Sequence, residues 1–243
     1  MSSTRILAVA RVRVHRVVRT RLALAALILV LLPWLLVDSA SLLARISSLA
    51  EFTLVGLTMI GAGALSDDID SGEFAIAMTH DCSPLDVLAG QTVASLILTA
   101  ILVVLQLPVA FAGIVLPHAS QLVLLFAWLS ALLASWLGLL LLLATILEGK
   151  ANAVGMIGVL ALAPLLQAAS LVDRLPRALA AMARGGLELL PQLEHGTTTF
   201  SAALGGPPAP AVAPLVLILS PIVYFTLAAV RIYRLEPAGR LTQ

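Results

Sequence analysis

The sequence predicts an all-α polytopic membrane protein with six transmembrane helices. Three observations predict it. Of the 243 residues, 60% are hydrophobic and only 11% charged, with a mean hydropathy of +1.08. A soluble domain is about 25% charged, so bilayer lipid must be the solvent for most of this surface. The apolar residues fall in runs long enough to cross about 30 Å of hydrocarbon, and only a helix satisfies its own backbone hydrogen bonds there. The runs are continuous, without the roughly ten-residue alternation of an outer-membrane β-strand.

The elements follow in order. Residues 1–21, MSSTRILAVARVRVHRVVRTR, mix Arg with Val, Ile and Leu. RVRVHRVV alternates as a strand would, but it leads directly into a span. It reads as a helix in the inner interface with its arginines at the headgroups, or as a flexible basic tail that sets topology. Its basic part is too long for a signal peptide, and no small-residue cleavage site follows. Spans 1–5 occupy 22–172. Span 1 is 22–44, kinked near Pro33 and interrupted by Asp38, and span 2 is 46–65, with Arg45 almost the only break between them. Span 3 is 87–116 with Pro108 inside, span 4 is 121–147, and span 5 is 153–172 with Pro164 inside. Span 6 is 212–233 with Pro221 inside, and 234–243 is a short tail. The connection 173–211 reads as short outer-face helical pieces: DRLPRALAAMARGG, stopped by Gly185-Gly186, then LELLPQLEHG and TTTFSAALGG. PPAPAVAP is a stiff lead into span 6. The whole chain is one transmembrane domain.

Basic residues set the orientation. With the N-terminus inside, the inner segments and span ends hold Arg5, Arg11, Arg13, Arg16, Arg19, Arg21, Lys150, Arg231, Arg234 and Arg240, ten of fourteen basic residues. The outer side holds Arg45, Arg174, Arg177 and Arg184. Both termini are therefore expected in the cytoplasm, with the protein in the cytoplasmic (inner) membrane. Cys82, the one cysteine, is then cytoplasmic, which fits an unpaired thiol. Two acids fall inside spans: Glu51, about five residues into span 2, and Asp38, near the outer end of span 1. Each faces protein, water or headgroups; it contacts substrate, lines a dimer seam, or reaches the outer interface. Gly56, Gly61 and Gly63 allow close helix approach in span 2.

Several chemistries are excluded by pattern. The only Gly-Lys, Gly149-Lys150, lacks the upstream Gly and the following Ser or Thr of a Walker A loop. There is no HExxH and no CxxC, and His15, His80, His118 and His195 are scattered over different segments. Basic residues outside the N-terminus are too few for a nucleic-acid surface. No cofactor and no bound metal is implied.

One stretch demands an explanation. Residues 64–90, ALSDDIDSGEFAIAMTHDCSPLDVLAG, hold Asp67, Asp68, Asp70, Glu73, Asp81 and Asp86, six of the thirteen acids, between two apolar runs. One reading is a membrane enzyme in which Asp67, Asp70 and Asp86 hold a divalent metal for phosphoryl or phosphatidyl transfer. Asp67 and Asp70 have the D-x2-D spacing of the CDP-alcohol phosphotransferases, but Ser71 replaces their Gly and no Ala-Arg pair follows. Another is a solvated acidic loop in a structural or regulatory membrane subunit.

The stretch as a whole resembles the cytoplasmic hinge of ABC-2-type transporter permeases. That family has an acidic segment, then Ser-Gly, then an apolar turn, then a pattern near LLTRPVSRLDVLLGK. Here Asp67, Asp68 and Asp70 are the acids, Ser71-Gly72 the turn, and Phe74, Ile76 and Met78 the apolar face. Thr79, Ser83, Leu85, Asp86, Val87, Leu88 and Gly90 fall on the later pattern in register, while Asp81, Pro84 and Gln91 depart from it. The motif covers about 25 residues, and the layout of basic N-terminus, six spans and long outer segment covers the chain. Permeases serving copper-enzyme maturation and haem-exporter subunits share the likeness, but no Met, Cys or His constellation supports bound copper or haem.

The resemblance implies a non-catalytic permease subunit that couples a separate ABC ATPase to export of a substrate. It implies a coupling helix over 70–79, with Asp70, Gly72, Glu73, Phe74, Ile76 and Met78 as the docking residues. The partners it implies are that ATPase, a second permease copy or paralogue, membrane lipid and an accessory protein at the outer face, and no nucleic acid. The few charges along the bundle favour a lipid-like, peptide or other amphipathic substrate.

Overall fold

A computed structural model describes residues 3–36, 41–61, 82–147 and 193–235, together with 151, 152, 154–156, 158, 176, 179 and 180. Among these residues all regular structure is helical. Helix α1 (Ser3–Arg19) takes the basic, strand-like alternation into a helix. Thr20 ends it: its hydroxyl donates to the Val17 carbonyl at 2.7 Å, and its backbone N–H reaches the same oxygen at 3.0 Å. The chain bends there by 71°. Helix α2 (Arg21–Leu31) then passes into a 3₁₀ turn (Leu32–Leu36). Pro33 lacks the N–H that would extend the α-ladder, so the winding tightens where the sequence expects a kink.

Helix α3 (Leu42–Gly61) is started by Ser41, whose hydroxyl accepts from the Ala44 N–H at 3.1 Å. Arg45 therefore belongs to the first turn of α3 and is not the break between spans 1 and 2. That break precedes Leu42. Helix α4 (Pro84–Ala110) ends six residues short of the 116 expected. Pro108 withholds one ladder bond, and Gly113 turns the chain with a φ of +71°, a conformation open to glycine. Helix α5 (Ala119–Ala144) and helix α7 (Val212–Leu235) match spans 4 and 6. Between them the structure describes helix α6 (Leu193–Ala203). The sequence expects a break at His195-Gly196, but α6 runs through it.

Among the described residues four helices, α3, α4, α5 and α7, are long and apolar enough to cross a membrane, and α1 with α2 would make a fifth as one bent pair. The chain is thus a multi-pass helical membrane protein by length and composition. Most of the expected span 5, 153–172, lies outside the described residues.

Side-chain pairs fix how the helices run. Arg45, at the start of α3, bonds the end of α4, so these two are antiparallel. Thr58 meets Trp136 and Gly61 meets Leu140, so α3 and α5 are parallel. Ser135 meets Leu217 and Gly138 meets Tyr224, so α5 and α7 are parallel too. Helix α3 is central, touching α2, α4, α5 and α6. Its Leu49, Leu54 and Leu57 pack in one core with Leu132, Trp136 and Leu140 of α5. The outward faces stay apolar: Ile97, Ile101 and Val104 on α4, and Leu215, Ile218 and Ile222 on α7, are all exposed. A bundle whose surface is as apolar as its core is suited to lipid.

Small residues let the helices approach. A Cβ at Gly56 would lie 2.6 Å from Val30 Cγ2 and 2.9 Å from Leu102 Cδ1, so α2, α3 and α4 meet at this point. Gly56→Leu should therefore force α2 and α4 apart and destabilise the protein by about 1–3 kcal/mol. A lower thermal midpoint for the detergent-purified variant is the expected reading. Val115→Ala, at a site 92% exposed, should leave it unchanged.

Candidate functional site

The expected docking residues Asp70, Gly72, Glu73, Phe74, Ile76 and Met78 lie outside the described residues, as do Asp67 and Asp38. What the structure describes is the frame on either side of that hinge, α3 up to Gly61 and the chain from Cys82 onward.

The frame at α4 is rigid from its first residue. The Ser83 N–H donates to Asp86 Oδ2 at 3.0 Å, and the Ser83 hydroxyl reaches the same oxygen at 2.8 Å. In return the Asp86 N–H donates to Ser83 Oγ at 3.1 Å. This is a reciprocal capping box with Pro84 as the first helical residue. Asp86 is buried, with its N–H and its carboxylate both engaged in the cap. The sequence shows the signature, Ser-Pro-Leu-Asp ahead of an apolar run, but an acid among six in one stretch points first to a hinge or a metal. Two turns on, Gly90 seats α1: a Cβ there would meet Val9 Cβ at 2.6 Å and the Ile6 carbonyl oxygen at 3.1 Å. Ala10 and Val17 complete the buried face of α1, while Leu7, Val12 and Val18 stay exposed among the arginines.

Inside the bundle, toward the last turns of α4, runs a polar network. Gln106 of α4 is fully buried. Its Oε1 accepts from Trp34 Nε1 at 3.0 Å, and its Nε2 donates to Thr53 Oγ1 at 2.9 Å and to the Leu102 carbonyl at 3.0 Å. One amide thus ties the 3₁₀ turn, α4 and α3. Phe52 meets the Trp34 ring edge-on with centroids 5.5 Å apart. A second tie joins α3 to α5, where Trp136 Nε1 donates to Thr58 Oγ1 at 2.9 Å. A third joins α5 to α7. Pro221 has no N–H to offer the Leu217 carbonyl, and the Ser135 hydroxyl, which donates to the Ala131 carbonyl at 2.8 Å, lies 3.2 Å from that oxygen and shares its proton with it. The prolines and polar residues within the spans were the signal for these ties, but the sequence does not say which polar group meets which.

At the end of the bundle opposite the capping box, Arg45 Nη1 donates to the carbonyls of Ala112 at 2.8 Å and Val109 at 3.3 Å. A guanidinium at a helix C-terminus meets both the unpaired carbonyls and the dipole. Here α6 is wedged among α3, α5 and α7. Phe200 is fully buried, and a Cβ at Gly196 would lie 2.8 Å from Leu132 Cδ2. That contact is why Gly196 sits inside a helix instead of ending one. Thr197, Thr198 and Thr199 each return their hydroxyls to carbonyls one turn back, so a polar helix can sit among apolar ones.

Glu51 is the tenth residue of α3 and is exposed. The sequence places it five residues into its span, but α3 starts at Leu42, so the acid lies at mid-helix. It makes no hydrogen bond or ion pair among the described residues. Ala44, Ser48 and Val55 share its open or half-open stripe, on a helix otherwise largely buried. A charged side chain at the centre of a lipid-facing helix costs roughly 2.5–3.5 kcal/mol, so the stripe is not a plain lipid contact.

No family model matches the chain, and a search of curated proteins gives no match.

The Gln106 ties can be measured. Gln106→Leu leaves Trp34 Nε1 and Thr53 Oγ1 without this partner and should cost about 1–3 kcal/mol of stability. In a double-mutant cycle with Trp34→Phe the coupling should be about 0.5–1.7 kcal/mol, read from unfolding in detergent. Strict additivity would show that the 3.0 Å bond carries no energy.

Proposed function

We propose that this chain is the membrane-spanning permease subunit of an ABC-2-type transporter, and that residues 66–86 carry the element through which a separate ATPase moves it. The observation that carries the proposal is the register of the hinge with the first turns of α4. Ser83, Asp86, Val87, Leu88 and Gly90 fall on the permease pattern. In this chain they form the cap, two buried core positions and the seat of α1. A pattern that fixes the start of a helix is what a force-bearing hinge needs. Work done on 70–79 passes into an α4 that is capped at its first turn and tied at Gln106 to two neighbours.

Phe74, Ile76 and Met78 would fill a groove on the ATPase, with Asp70 and Glu73 steering the approach and Gly72 allowing the bend. The sequence has no Walker A loop, so the nucleotide belongs to the partner. Both termini lie in the cytoplasm and α1 lies in the inner interface, with its arginines at the headgroups. Since α5 and α7 run the same way, the chain between them must come back. The apolar run 153–172 makes that return and, with α2 as the first crossing, brings the total to the six the sequence expects. Helix α6 then lies in the outer half of the bundle, where it moves with α5 and α7 and bears on release of an amphipathic cargo. A second copy or paralogue completes the pathway, and the outer segment ahead of α6 is free to meet an accessory protein. Asp86 gives its carboxylate to the cap of α4, while Asp67 and Asp70 of the competing transferase reading lie outside the described residues.

Tagged protein purified from its native membrane in mild detergent should carry a stoichiometric subunit with Walker A and B motifs. Phe74→Asp or Gly72→Pro should reduce that subunit at least tenfold without moving the thermal midpoint of the permease. A preparation free of any ATPase, under conditions that keep other membrane complexes whole, would remove the proposal. A fluorescent protein fused after Gln243 should fluoresce, and alkaline phosphatase at the same point should be inactive.

A further inference from the structure

We infer that the α5–α7 seam carries a two-position latch, in which the hydroxyls of Ser135 and Ser220 exchange as donors to the Leu217 carbonyl. The latch originates in Pro221. A carbonyl in an α-helix accepts from the N–H four residues on, and for Leu217 that residue is the proline. A carbonyl left bare inside a membrane bundle is costly, and a hydroxyl from the same or a neighbouring helix satisfies it. Ser135 does so only in part. Its one proton is shared between the Ala131 carbonyl at 2.8 Å and the Leu217 carbonyl at 3.2 Å, so the bond across the seam is the longer of the two.

A second donor stands beside that carbonyl. Ser220 is 7% exposed, and its hydroxyl oxygen is buried with no hydrogen-bond partner among the described residues. It follows Leu217 by three residues on the same helix. Hydroxyls at that spacing reach back to the carbonyl elsewhere in this chain: Thr145 to Leu142 at 2.7 Å, and Thr199 to Gly196 at 2.8 Å. The Ser220 side chain has room to turn, because with Val216, Leu219 and Val223 it borders a cavity of about 500 Å³. With Ser220 on the Leu217 carbonyl, Ser135 keeps its bond to Ala131 and the carbonyl stays satisfied. The proline rung is tied to α5 in one position and closed within α7 in the other. The latch concerns this seam alone and does not rest on the permease reading.

A double-mutant cycle on the full chain tests it, read from reversible unfolding in dodecyl maltoside. Ser220→Ala alone should change the folding equilibrium by less than about twofold, because that hydroxyl is idle in the tied position. Ser135→Ala should lower it by about two- to threefold, because Ser220 takes over. Both together leave the carbonyl bare and should lower it by more than about tenfold. Ser135→Ala with Ser220→Thr keeps a hydroxyl and should match Ser135→Ala alone. In a Pro221→Ala background an N–H returns to the Leu217 carbonyl, and the two serine substitutions should be small and additive. Additive losses in the native background, or a coupling that survives Pro221→Ala, would overturn the latch. So would a Ser220→Ala loss as large as that of the double variant, which would mean a fixed bond at Ser220. A double variant that folds only in the Pro221→Ala background would support the latch, and one that folds in neither would overturn it. Spin labels in place of the exposed Ser130 and Ile222, in Cys82→Ser protein, read the seam itself. Their mean distance should be longer in Ser135→Ala than in the native and Ser220→Ala proteins, and equal distances in all three would overturn the exchange.

Discussion

The buried amide of Gln106 is the contact on which the rest of the bundle depends. In lipid there is little hydrophobic force between helices, since the solvent is as apolar as leucine. Packing and hydrogen bonds must decide which helix lies beside which. Gln106 uses both ends of its amide for this, toward Trp34 on one side and Thr53 on the other. Gly56 sits one turn of α3 from Thr53 and brings α2 and α4 into contact at the same level. The amide selects the arrangement and the glycine permits it. Trp136–Thr58 and Ser135–Leu217 extend the same logic to α5 and α7.

This division of labour has a mechanical consequence. Helix α4 is held at three heights: by the Ser83–Asp86 cap, by Gln106, and by Arg45 at its last carbonyls. The last two of these contacts tie it to α3. Helix α1 packs on Gly90, near the N-terminal end of α4. At the other end α6 is lodged among α3, α5 and α7, with the hydroxyls of Thr197, Thr198 and Thr199 satisfied within the helix.

The fold was legible where composition alone decides it. Long apolar runs between polar breaks gave α3, α4, α5 and α7, and Pro33 marked the change of winding after α2. What was not legible was partner choice. Arg45 reads as a break between spans because a charge interrupts the hydropathy, yet the ends of α4 give it carbonyls to hold and it stays inside α3. Asp86 reads as one acid among six, yet its N–H and carboxylate both turn to Ser83. Gly196 falls at the join of two short pieces in the sequence, yet α6 runs through it, and Leu132 across the interface makes glycine the residue that fits there. In each case the local signal was present and a contact distant in sequence decided its meaning. The docking residues 70–78 remain a matter of sequence pattern, carried by the register that continues into α4.

The central claim is that the hinge of this chain bears directly on an ATPase. A photo-crosslinking amino acid in place of Phe74, irradiated in native membranes, tests it at the contact itself. The account predicts one dominant product, in which this chain is joined to a separate subunit carrying Walker A and B motifs, with a yield that changes when ATP is depleted. Crosslinks confined to this chain's own helices would mean that Phe74 packs back on its own bundle, and would contradict the account.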